Sequence, residues 1–358
     1  MTIVGVGLMG GSLGLAIKRR FPATKIIGVD KASVLAEAHR RRAIDAGTSQ
    51  LRKAIEEADL AILSTPLSSI LRLIPRIASF TAPHTIVTDV GSVKLPVIQL
   101  AERYFPQGNF IGGHPMTGSE SSGIGAAHPL LFENAVYVLT PTSNTRRDVV
   151  TSFSRFVLQL GARPAKLYAE VHDEVASVVS HLAQLTAVAL TNVAGARHPV
   201  ARKHLSLAAG GFRDMTRIAS SDPLLWRDIL RLNAGRIRGP LRLLRNELRR
   251  YEKILANSHS FKQEFERARM IRRSIPTSMK GFLHPLVDLF VFVQDRPGML
   301  ARLTAALAKS KINIKDIELV KVRERIGGTF RLSFESGEIV DKAKEILVRA
   351  GFEVSSRL

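Results

Sequence analysis

The sequence predicts an α/β protein with a doubly wound sheet, an all-helical segment and a small βαββαβ unit, in that order. Strand patterns rich in β-branched residues alternate with helical patterns up to residue 140, whereas residues 168–258 carry only long helical periodicities. A polar, basic stretch punctuated by Pro276 and Pro285 follows, and the pattern after it is typical of a ferredoxin-like unit. We therefore expect domains over 1–167, 168–260 and 286–358, with a basic linker over 261–285.

The first thirty residues carry the pattern of a dinucleotide site. A short strand over 2–6 leads into a G-x-G-x-x-G turn formed by Gly5, Gly7 and Gly10. A helix over 8–20 and a second strand over 25–29 follow, and Asp30 comes directly after that strand. A pyrophosphate would lie on the free N–H groups at the N-terminus of the helix. The carboxylate of Asp30 would accept hydrogen bonds from the ribose hydroxyls and repel a 2′-phosphate. This Rossmann-type pattern predicts NAD rather than NADP as the cofactor.

Composition excludes several classes of protein. The 358 residues include no cysteine, so the chain has no disulfide, thiolate nucleophile or cysteine-bound metal, and no H-E-x-x-H or similar spacing suggests a metal. Residues 2–17 form an uncharged, largely apolar run. A signal peptide has its basic residues before such a run, whereas here Lys18, Arg19 and Arg20 follow it. No other stretch reads as a membrane span. We expect a cytoplasmic protein without a metal or a membrane partner.

A net charge of +21 raises the question of nucleic-acid binding. Residues 227–281 hold 15 Lys/Arg against 5 Asp/Glu, so nearly half of the excess lies in one segment. Apolar residues recur there at steps of four and three and predict a helical seam that packs on a partner: Ile237, Leu241, Leu244, Leu248, Tyr251 and Leu255. The arginines then form mostly the solvated face. Tyr251 is the one aromatic residue in that helix, so base stacking is not supported and no nucleic-acid partner is expected.

Polar residues follow two strands at the edge where such sheets bind ligands. The segment DVGSVK at 89–94 follows one strand, and Ser92 is placed to act as the N-cap of the next helix. In GGHPMTGSE at 112–120, His114 follows a strand on a glycine turn. A histidine fixed there could accept a proton near neutral pH, or it could only hydrogen-bond its own loop.

The helical segment carries two further groups of polar residues. Ser177, His181 and Gln184 share one helix face, which fits a buried face as well as a site. Arg213 and Arg217 are four residues apart and could present two guanidinium groups to carboxylates, although a surface pair between Asp214 and Arg217 fits the same spacing. The Ser-Asp-Pro sequence at 221–223 predicts a helix start, and the single tryptophan, Trp226, is expected to be a core residue.

Taken together, these motifs resemble the TyrA family of prephenate dehydrogenases. The resemblance rests on GxGLMGGS at 5–12, DVGSVK at 89–94, GGHPMTGSE at 112–120, SHL at 180–182 and GGFRDMTRIASSDPLLWRDI at 210–229. The tail, with FERARMIRRSIP and a DRPGML turn, is similar to the variant with a C-terminal ACT domain. One departure is Gln184, where the family's SHLPH motif has a histidine; it concerns substrate recognition and not the reaction.

The resemblance implies NAD-dependent oxidation of prephenate with loss of CO2. His114 would accept the proton of the ring hydroxyl, and Ser92 would orient that hydroxyl. The substrate would be held by Arg217 with support from Arg213, His181 lining the pocket, and Ser119 and Glu120 at its mouth. The cofactor-binding residues would be Gly5, Gly7, Leu8, Met9, Gly10, Asp30, Ser64 and Pro66.

The resemblance also implies a homodimer formed by the helical domain, and an ACT domain that binds tyrosine as an effector. Its effector-binding positions would be Asp295, Pro297, Gly298 and Asn313. Two alternatives remain. One is arogenate dehydrogenase, whose substrate has an amino group where prephenate has a keto group. The other is a non-catalytic regulator that senses NAD or an amino acid and binds DNA, which His114 and Ser92 beside the cofactor motif argue against.

Overall fold

The computed structural model describes residues 1–119, 121–255, 258–275, 286–323 and 326–356. These residues form two compact units, Met1–Ala268 and Arg269–Leu358, and each is treated by itself. The first contains the predicted doubly wound sheet and helical segment, and the second contains the predicted βαββαβ unit. The fold class read from the sequence is confirmed.

The sheet of the first unit has eight strands. They are β1 (Thr2–Val4), β2 (Ile27–Val29), β3 (Ala46–Thr48), β4 (Leu60–Leu63), β5 (Ile86–Asp89), β6 (Phe110–Pro115), β7 (Val136–Pro141) and β8 (Arg163–Lys166). The helices between them are α1 (Leu8–Arg20), α2 (Ala32–Arg40), α3 (Leu51–Glu56), α4 (Leu67–Ala78), α5 (Leu95–Tyr104) and α6 (Arg147–Gln159), with a 3-10 turn at Ile124–Ala126.

The strand order is β3-β2-β1-β4-β5-β6-β7-β8, and β7 and β8 run antiparallel to the other six. Alternate residues of β1 enter different cores: Ile3 packs with α1 and α6, whereas Val4 packs with α4 and α5. The sheet therefore separates two apolar layers, as expected for strands buried on both faces. Between β1 and β4 the chain order reverses, and ligands bind at such a switch point beyond the carboxyl ends of the strands.

The remainder of the first unit is helical within its described residues. It comprises α7 (Ala169–Ala176), a π-helical segment (Ser177–Leu182), α8 (Ala183–Asn192), a second π-helical segment (Val193–Arg197), α9 (Pro199–Lys203), 3-10 turns at Leu205–Leu207 and Arg217–Ser220, α10 (Gly210–Thr216), α11 (Pro223–Leu232) and α12 (Ala234–Ile254). Helix α13 (Ser258–Ser274) begins in this unit, which ends at Ala268. Asp222 caps α11 through the N–H of Leu224 (2.8 Å), so the predicted helix start at Pro223 is confirmed.

Two sequence-based expectations need correction here. The predicted linker over 261–285 is helical up to Ser274, because its charged residues are good helix formers and Glu264 pairs with Arg250 of α12. The run Ala169–Arg197 is long and apolar enough, by length and composition only, to cross a membrane, so the statement that no further stretch reads as a span was wrong. Only 17% of its most apolar window is buried in the structure.

The second unit is a four-stranded antiparallel sheet covered by two helices. Its elements are β9 (Val287–Gln294), α14 (Met299–Lys309), β10 (Asp316–Arg323), β11 (Gly327–Phe334), α15 (Gly337–Arg349) and β12 (Glu353–Ser355), with strand order β10-β11-β9-β12. Its separate core packs residues of β9 and β11, such as Val291 and Leu332, against Leu303 of α14 and Leu347 of α15. This is the predicted ferredoxin-like arrangement.

Candidate active site

The turn from β1 into α1 has the shape that a dinucleotide requires. Val6 donates its backbone N–H to Asp30 (2.8 Å), so the acid at the end of β2 lies against the turn. A Cβ on Gly10 would lie 2.0 Å from the carbonyl oxygen of Gly5, whereas a Cβ on Gly7 would meet nothing within 4 Å. Gly10 is therefore needed for helix packing, and Gly7 leaves open space at the helix N-terminus, where a pyrophosphate would bind.

Two hydroxyl groups next to this turn have no hydrogen-bond partner within the described residues. They are the buried side-chain oxygens of Ser64 and Thr65, directly after β4. Thr65 also lines a surface pocket together with Gly5, Val29, Asp30, Lys31 and Ser49. The residues present thus fit NAD, because hydroxyls without a partner, a glycine turn and an acid match its phosphates and ribose. Of the other predicted cofactor residues, Leu8 and Met9 form the half-buried first turn of α1, and Pro66 is the N-cap of α4.

His114 belongs to a hydrogen-bonded chain of three side chains. It lies within β6 and not on a turn after it, because residues 111–115 pair with β7. Its Nδ1 is 2.7 Å from Nε2 of His172, and Nδ1 of His172 is 2.7 Å from Oδ1 of Asp173. His172 and Asp173 are buried on α7, so the chain connects the sheet to the helical domain.

The carboxylate of Asp173 determines the tautomers in this chain. It also accepts the backbone N–H groups of Lys94 (2.7 Å) and Leu95 (2.9 Å) at the start of α5. Burial acts to raise the pKa of Asp173, but the hydrogen bonds from His172 and from these N–H groups lower it below its usual value. An ionised Asp173 requires the proton of neutral His172 on Nδ1, and its Nε2 then accepts the Nδ1–H of His114. This leaves the lone pair of His114 on Nε2.

The surroundings of His114 also keep its ring neutral. Loss of hydration lowers the pKa of His114 well below the usual histidine value, and the nearby His172, Lys94 and His181 act in the same direction. A neutral ring with a free lone pair on Nε2 can accept a proton at pH 7.

The predicted capping role of Ser92 is wrong. Helix α5 begins at Leu95, its N-cap residue is Lys94, and no side chain of the preceding turn caps it. The cap comes instead from Asp173, 78 residues away in sequence from Leu95. Ser92 is half-buried in the turn between β5 and α5.

His181 is linked to the same network through Asn233. The side-chain amide of Asn233 lies 3.2 Å from Nδ1 of His181 and donates to the backbone oxygen of Asp173 (2.9 Å). The ring of Trp226 is edge-on to His181, with centroids 5.9 Å apart. Burial lowers the pKa of His181 to about 4, so the ring is neutral and takes the amide hydrogen bond on Nδ1.

The predicted carboxylate-binding arginines lie on consecutive short helices, and both are exposed: Arg213 is on α10, and Arg217 begins the following 3-10 turn. The buried side chain of Gln184 donates to the backbone oxygen of Ile218 (2.9 Å) and so anchors that turn. Ser119 is exposed, and its hydroxyl accepts the N–H of Ser121 (3.1 Å). Glu120 lies outside the described residues.

The second unit has its own pocket, of about 190 Å³. It is lined by Val293, Gln294, Asp295, Arg296, Met299, Leu300, Leu319, Gly327, Gly328 and Phe330. Of the predicted effector positions, only Asp295 is among these residues. Gly298 adopts φ +85° as the N-cap of α14, a backbone conformation that favours glycine, and Asn313 precedes β10 by three residues and is exposed.

Sequence reasoning missed three residues of the network: His172, Asp173 and Asn233. The available signal was the His-Asp pair in the first helix after the sheet. Nothing in the local sequence of Asn233 indicates its role, because its contacts are 52 and 60 residues away.

The cofactor turn at the switch point, together with the neutral histidine His114 in β6, defines an NAD-dependent dehydrogenase. Residues 13–166 match the model of the prephenate dehydrogenase nucleotide-binding domain, 168–267 that of the prephenate dehydrogenase dimerization domain, and 287–351 that of the ACT domain. The chain belongs to the prephenate dehydrogenase family. This enzyme family leaves no support for the non-catalytic DNA-binding alternative.

Individual relatives agree with this assignment. The chain is 36% identical to a prephenate dehydrogenase of Bacillus subtilis, over 98% of this chain and 96% of the relative. Among solved structures, it is similar to prephenate dehydrogenase from Aquifex aeolicus in complex with hydroxyphenyl propionate and NAD+, with TM-score 0.70, 29% identity and coverage of 77% of this chain and 97% of that one. It is also similar to Synechocystis arogenate dehydrogenase, with TM-score 0.62, 30% identity and coverage of 76% and 96%.

Proposed function

We propose that this enzyme oxidises and decarboxylates prephenate to 4-hydroxyphenylpyruvate, the step that commits prephenate to tyrosine. The observation that carries the proposal is the chain from His114 through His172 to Asp173, which leaves the lone pair of a neutral His114 on Nε2. Prephenate has a ring hydroxyl whose proton must leave as its carbon is oxidised. A neutral imidazole with an available Nε2 is suited to take that proton.

In this mechanism His114 Nε2 removes the hydroxyl proton while the carbon–oxygen double bond forms. Bound NAD would supply the hydride acceptor for the oxidation of that carbon. The bond to the ring carboxylate then breaks and CO2 leaves. The electron pair of that bond completes the aromatic ring, and the new carbonyl oxygen becomes a phenolate, to which protonated His114 returns the proton. The positive charge that develops on His114 is stabilised through His172 by the carboxylate of Asp173, which the two N–H groups of α5 hold in place.

Substrate orientation falls to Ser92 and the arginines. Ser92 lies in the turn directly after β5, the strand next to β6, so it can hydrogen-bond the hydroxyl that His114 deprotonates. Arg217 pairs with a substrate carboxylate and Arg213 adds positive charge. Gln184 stands where the family's motif has a histidine. Its side chain donates to the backbone oxygen of Ile218 and so holds the turn that begins at Arg217, which is part of the substrate-binding segment.

The test is NADH formation by the purified protein with prephenate and with arogenate. We expect turnover and CO2 release with prephenate, and a higher kcat/KM with NAD than with NADP because the carboxylate of Asp30 would accept the ribose hydroxyls and repel a 2′-phosphate. His114→Asn should lower kcat by about 10² to 10⁴ while NAD binding is preserved. Near-normal turnover of that variant would falsify the assignment of the proton acceptor.

Arogenate dehydrogenase is the second candidate. It is favoured by the similarity to Synechocystis arogenate dehydrogenase and by Gln184 in place of a histidine near the arginines. The two substrates differ only at the side-chain keto or amino group, so the chemistry at His114 is the same. A higher kcat/KM for arogenate than for prephenate in the same assay would decide for this candidate.

We also propose that the second unit binds tyrosine as a feedback inhibitor. Its pocket combines an apolar wall, including Met299, Leu319 and Phe330, with Asp295 for an ammonium group and Arg296 for a carboxylate. Deleting residues 286–358 should leave an active enzyme that tyrosine no longer inhibits. A truncated enzyme that is still inhibited, or calorimetry without tyrosine binding to the full chain, would contradict this role.

Finally, we propose a homodimer through the helical domain. Apolar side chains of the run Ala169–Arg197 are exposed in the single chain, among them Val171, Val175, Val178 and Val179. In the predicted seam, Ile237 is buried, whereas Leu241, Leu248 and Leu255 are exposed. A second copy would cover these surfaces. Analytical ultracentrifugation should give twice the monomer mass, and Val175→Glu should weaken the association.

A further inference from the structure

The motif DVGSVK contains a buried ion pair that the proposed mechanism does not use. Lys94 pairs with Asp89, and both side chains have 0% exposure. Buried ion pairs seldom stabilise a protein more than apolar residues of similar size, because both charges lose their hydration. This pair therefore calls for a role other than stability.

The ion pair replaces a missing strand neighbour of β6. Strands β5 and β6 pair at two positions, Val87 with Phe110 and Thr88 with Ile111, and their pairing ends there. Past that point, Gly113 directs both its backbone groups at the ion pair: its N–H donates to Oδ1 of Asp89 (3.3 Å), and its carbonyl oxygen accepts from Nζ of Lys94 (2.7 Å). Two side chains thus continue the ladder at the residue before His114.

The same pair also holds the turn that carries Ser92. Oδ2 of Asp89 accepts the N–H of Gly91 (2.8 Å), and the backbone N–H of Lys94 donates to Asp173. A Cβ on Gly113 would lie 2.6 Å from the backbone oxygen of Asp89, so the glycine lets the strand approach this closely. The turn that carries Ser92 and the strand β6 are therefore both hydrogen-bonded to the buried Asp89–Lys94 pair.

We propose that the Asp89–Lys94 pair is a positioning device, which sets His114 against the Ser92 turn so that both reach the same substrate hydroxyl. The inference rests on the proposed role of His114 as the proton acceptor. Asp89 and Lys94 touch no substrate in this arrangement; they act through the backbone of Gly113 and the Ser92 turn. Displacing a reacting group by about 1 Å can lower a rate about 10²-fold, so the loss of the pair should appear mainly in kcat.

The test uses Lys94→Met and Asp89→Asn in the full chain, with Lys18→Met as the matched control. Lys18 forms a Lys–Asp pair with Asp45 (2.6 Å) in the same domain, on α1 and away from β6. We expect both site variants to lose about 10²-fold in kcat with little change in the NAD Kd, and the control to keep wild-type kcat. A larger solvent deuterium isotope effect on kcat should accompany the loss, because a misplaced base slows proton transfer.

Amide hydrogen exchange of Gly113, followed by NMR, gives a readout that does not depend on turnover. If the Asp89–Lys94 pair holds Gly113 in place, this amide should exchange faster in Lys94→Met and Asp89→Asn than in the wild type and in Lys18→Met. Wild-type kcat in both site variants, equal losses in the control, or unchanged Gly113 exchange would overturn the inference. If the wild type turns over neither prephenate nor arogenate, the proposed function fails. The exchange measurement still decides whether the Asp89–Lys94 pair holds the backbone of Gly113.

Discussion

Replacing Asp173 by asparagine tests the hydrogen-bonded chain most directly. The carboxylate receives His172 Nδ1–H and Lys94 N–H on one oxygen and Leu95 N–H on the other, at 2.7, 2.7 and 2.9 Å. An amide keeps the size but cannot match this set. In one orientation its NH2 group faces the N–H of Leu95, and in the other it faces Nδ1 of His172 and forces the opposite tautomer. Either way, the negative charge that stabilises protonated His114 is lost.

The expected loss in kcat is about 10² to 10⁴-fold, the range of a general base that is misaligned or in the wrong tautomer. Stability should fall by about 1 to 2 kcal/mol, because α5 loses its charged cap. Stopped-flow or steady-state NADH formation at saturating prephenate and NAD measures the first effect, and thermal unfolding measures the second.

The matched control is Asp228→Asn. Asp228 of α11 also reaches from the helical domain to a helix of the sheet domain, where it accepts the N–H of Ser68 in α4 (3.1 Å); its other oxygen pairs with Arg227 (3.6 Å). We expect a similar loss of stability and almost unchanged kcat. If Asp173→Asn retains near-wild-type kcat, or if Asp228→Asn loses as much, the chain has no role in proton transfer.

Three further predictions follow from the same geometry. Gly7→Ala should fold normally but raise the NAD Kd about tenfold or more. Gly10→Ala should also lower the Tm, because its Cβ would lie 2.0 Å from the oxygen of Gly5. Equal Tm values of the two variants would contradict this. The acidic limb of kcat/KM should lie below pH 6.5, since desolvation lowers the pKa of His114 and the neutral ring is the active form; a limb above that value would refute it. Buried His181 should make the free energy of unfolding fall by roughly 3 kcal/mol between pH 6.5 and about 4, where the unfolded chain binds a proton that the folded protein does not. His181→Gln should flatten this dependence, which urea titrations at several pH values would measure.

The cofactor site could be read from the sequence because its parts are local. The turn, helix α1 and Asp30 lie within thirty residues, and the predicted bounds of α1 agree with the structure. The predicted βαββαβ order of the second unit is confirmed as well, whereas β3 and β8 of the first unit were not predicted. Local patterns record which residues share a turn or a face, and this information was sufficient for the elements that were predicted.

The chain from His114 to Asp173 could not be predicted in this way, because its members come from distant segments. His114 and His172 are 58 residues apart, on a strand and on a helix of another part of the unit. The misassigned cap has the same origin: Ser92 fits the local rule for an N-cap, but a carboxylate from α7 occupies that position in three dimensions. A contact across a domain junction leaves no periodic signal, so only a folded chain reveals it.

The junction between the two parts of the first unit also explains which helix is left for the cofactor. Helices α4 and α5 both begin at the carboxyl edge of the parallel strands, and each receives a carboxylate from the helical domain, Asp228 for α4 and Asp173 for α5. Helix α1 begins at the same edge without a side-chain cap and without an acidic residue in its first turn. Its partial positive charge is therefore available to a diphosphate, while the neighbouring helix dipoles are already satisfied. The helical domain thus supplies carboxylates to the helices next to α1, and with the same Asp173 it orients His172 and, through it, the proposed proton acceptor His114.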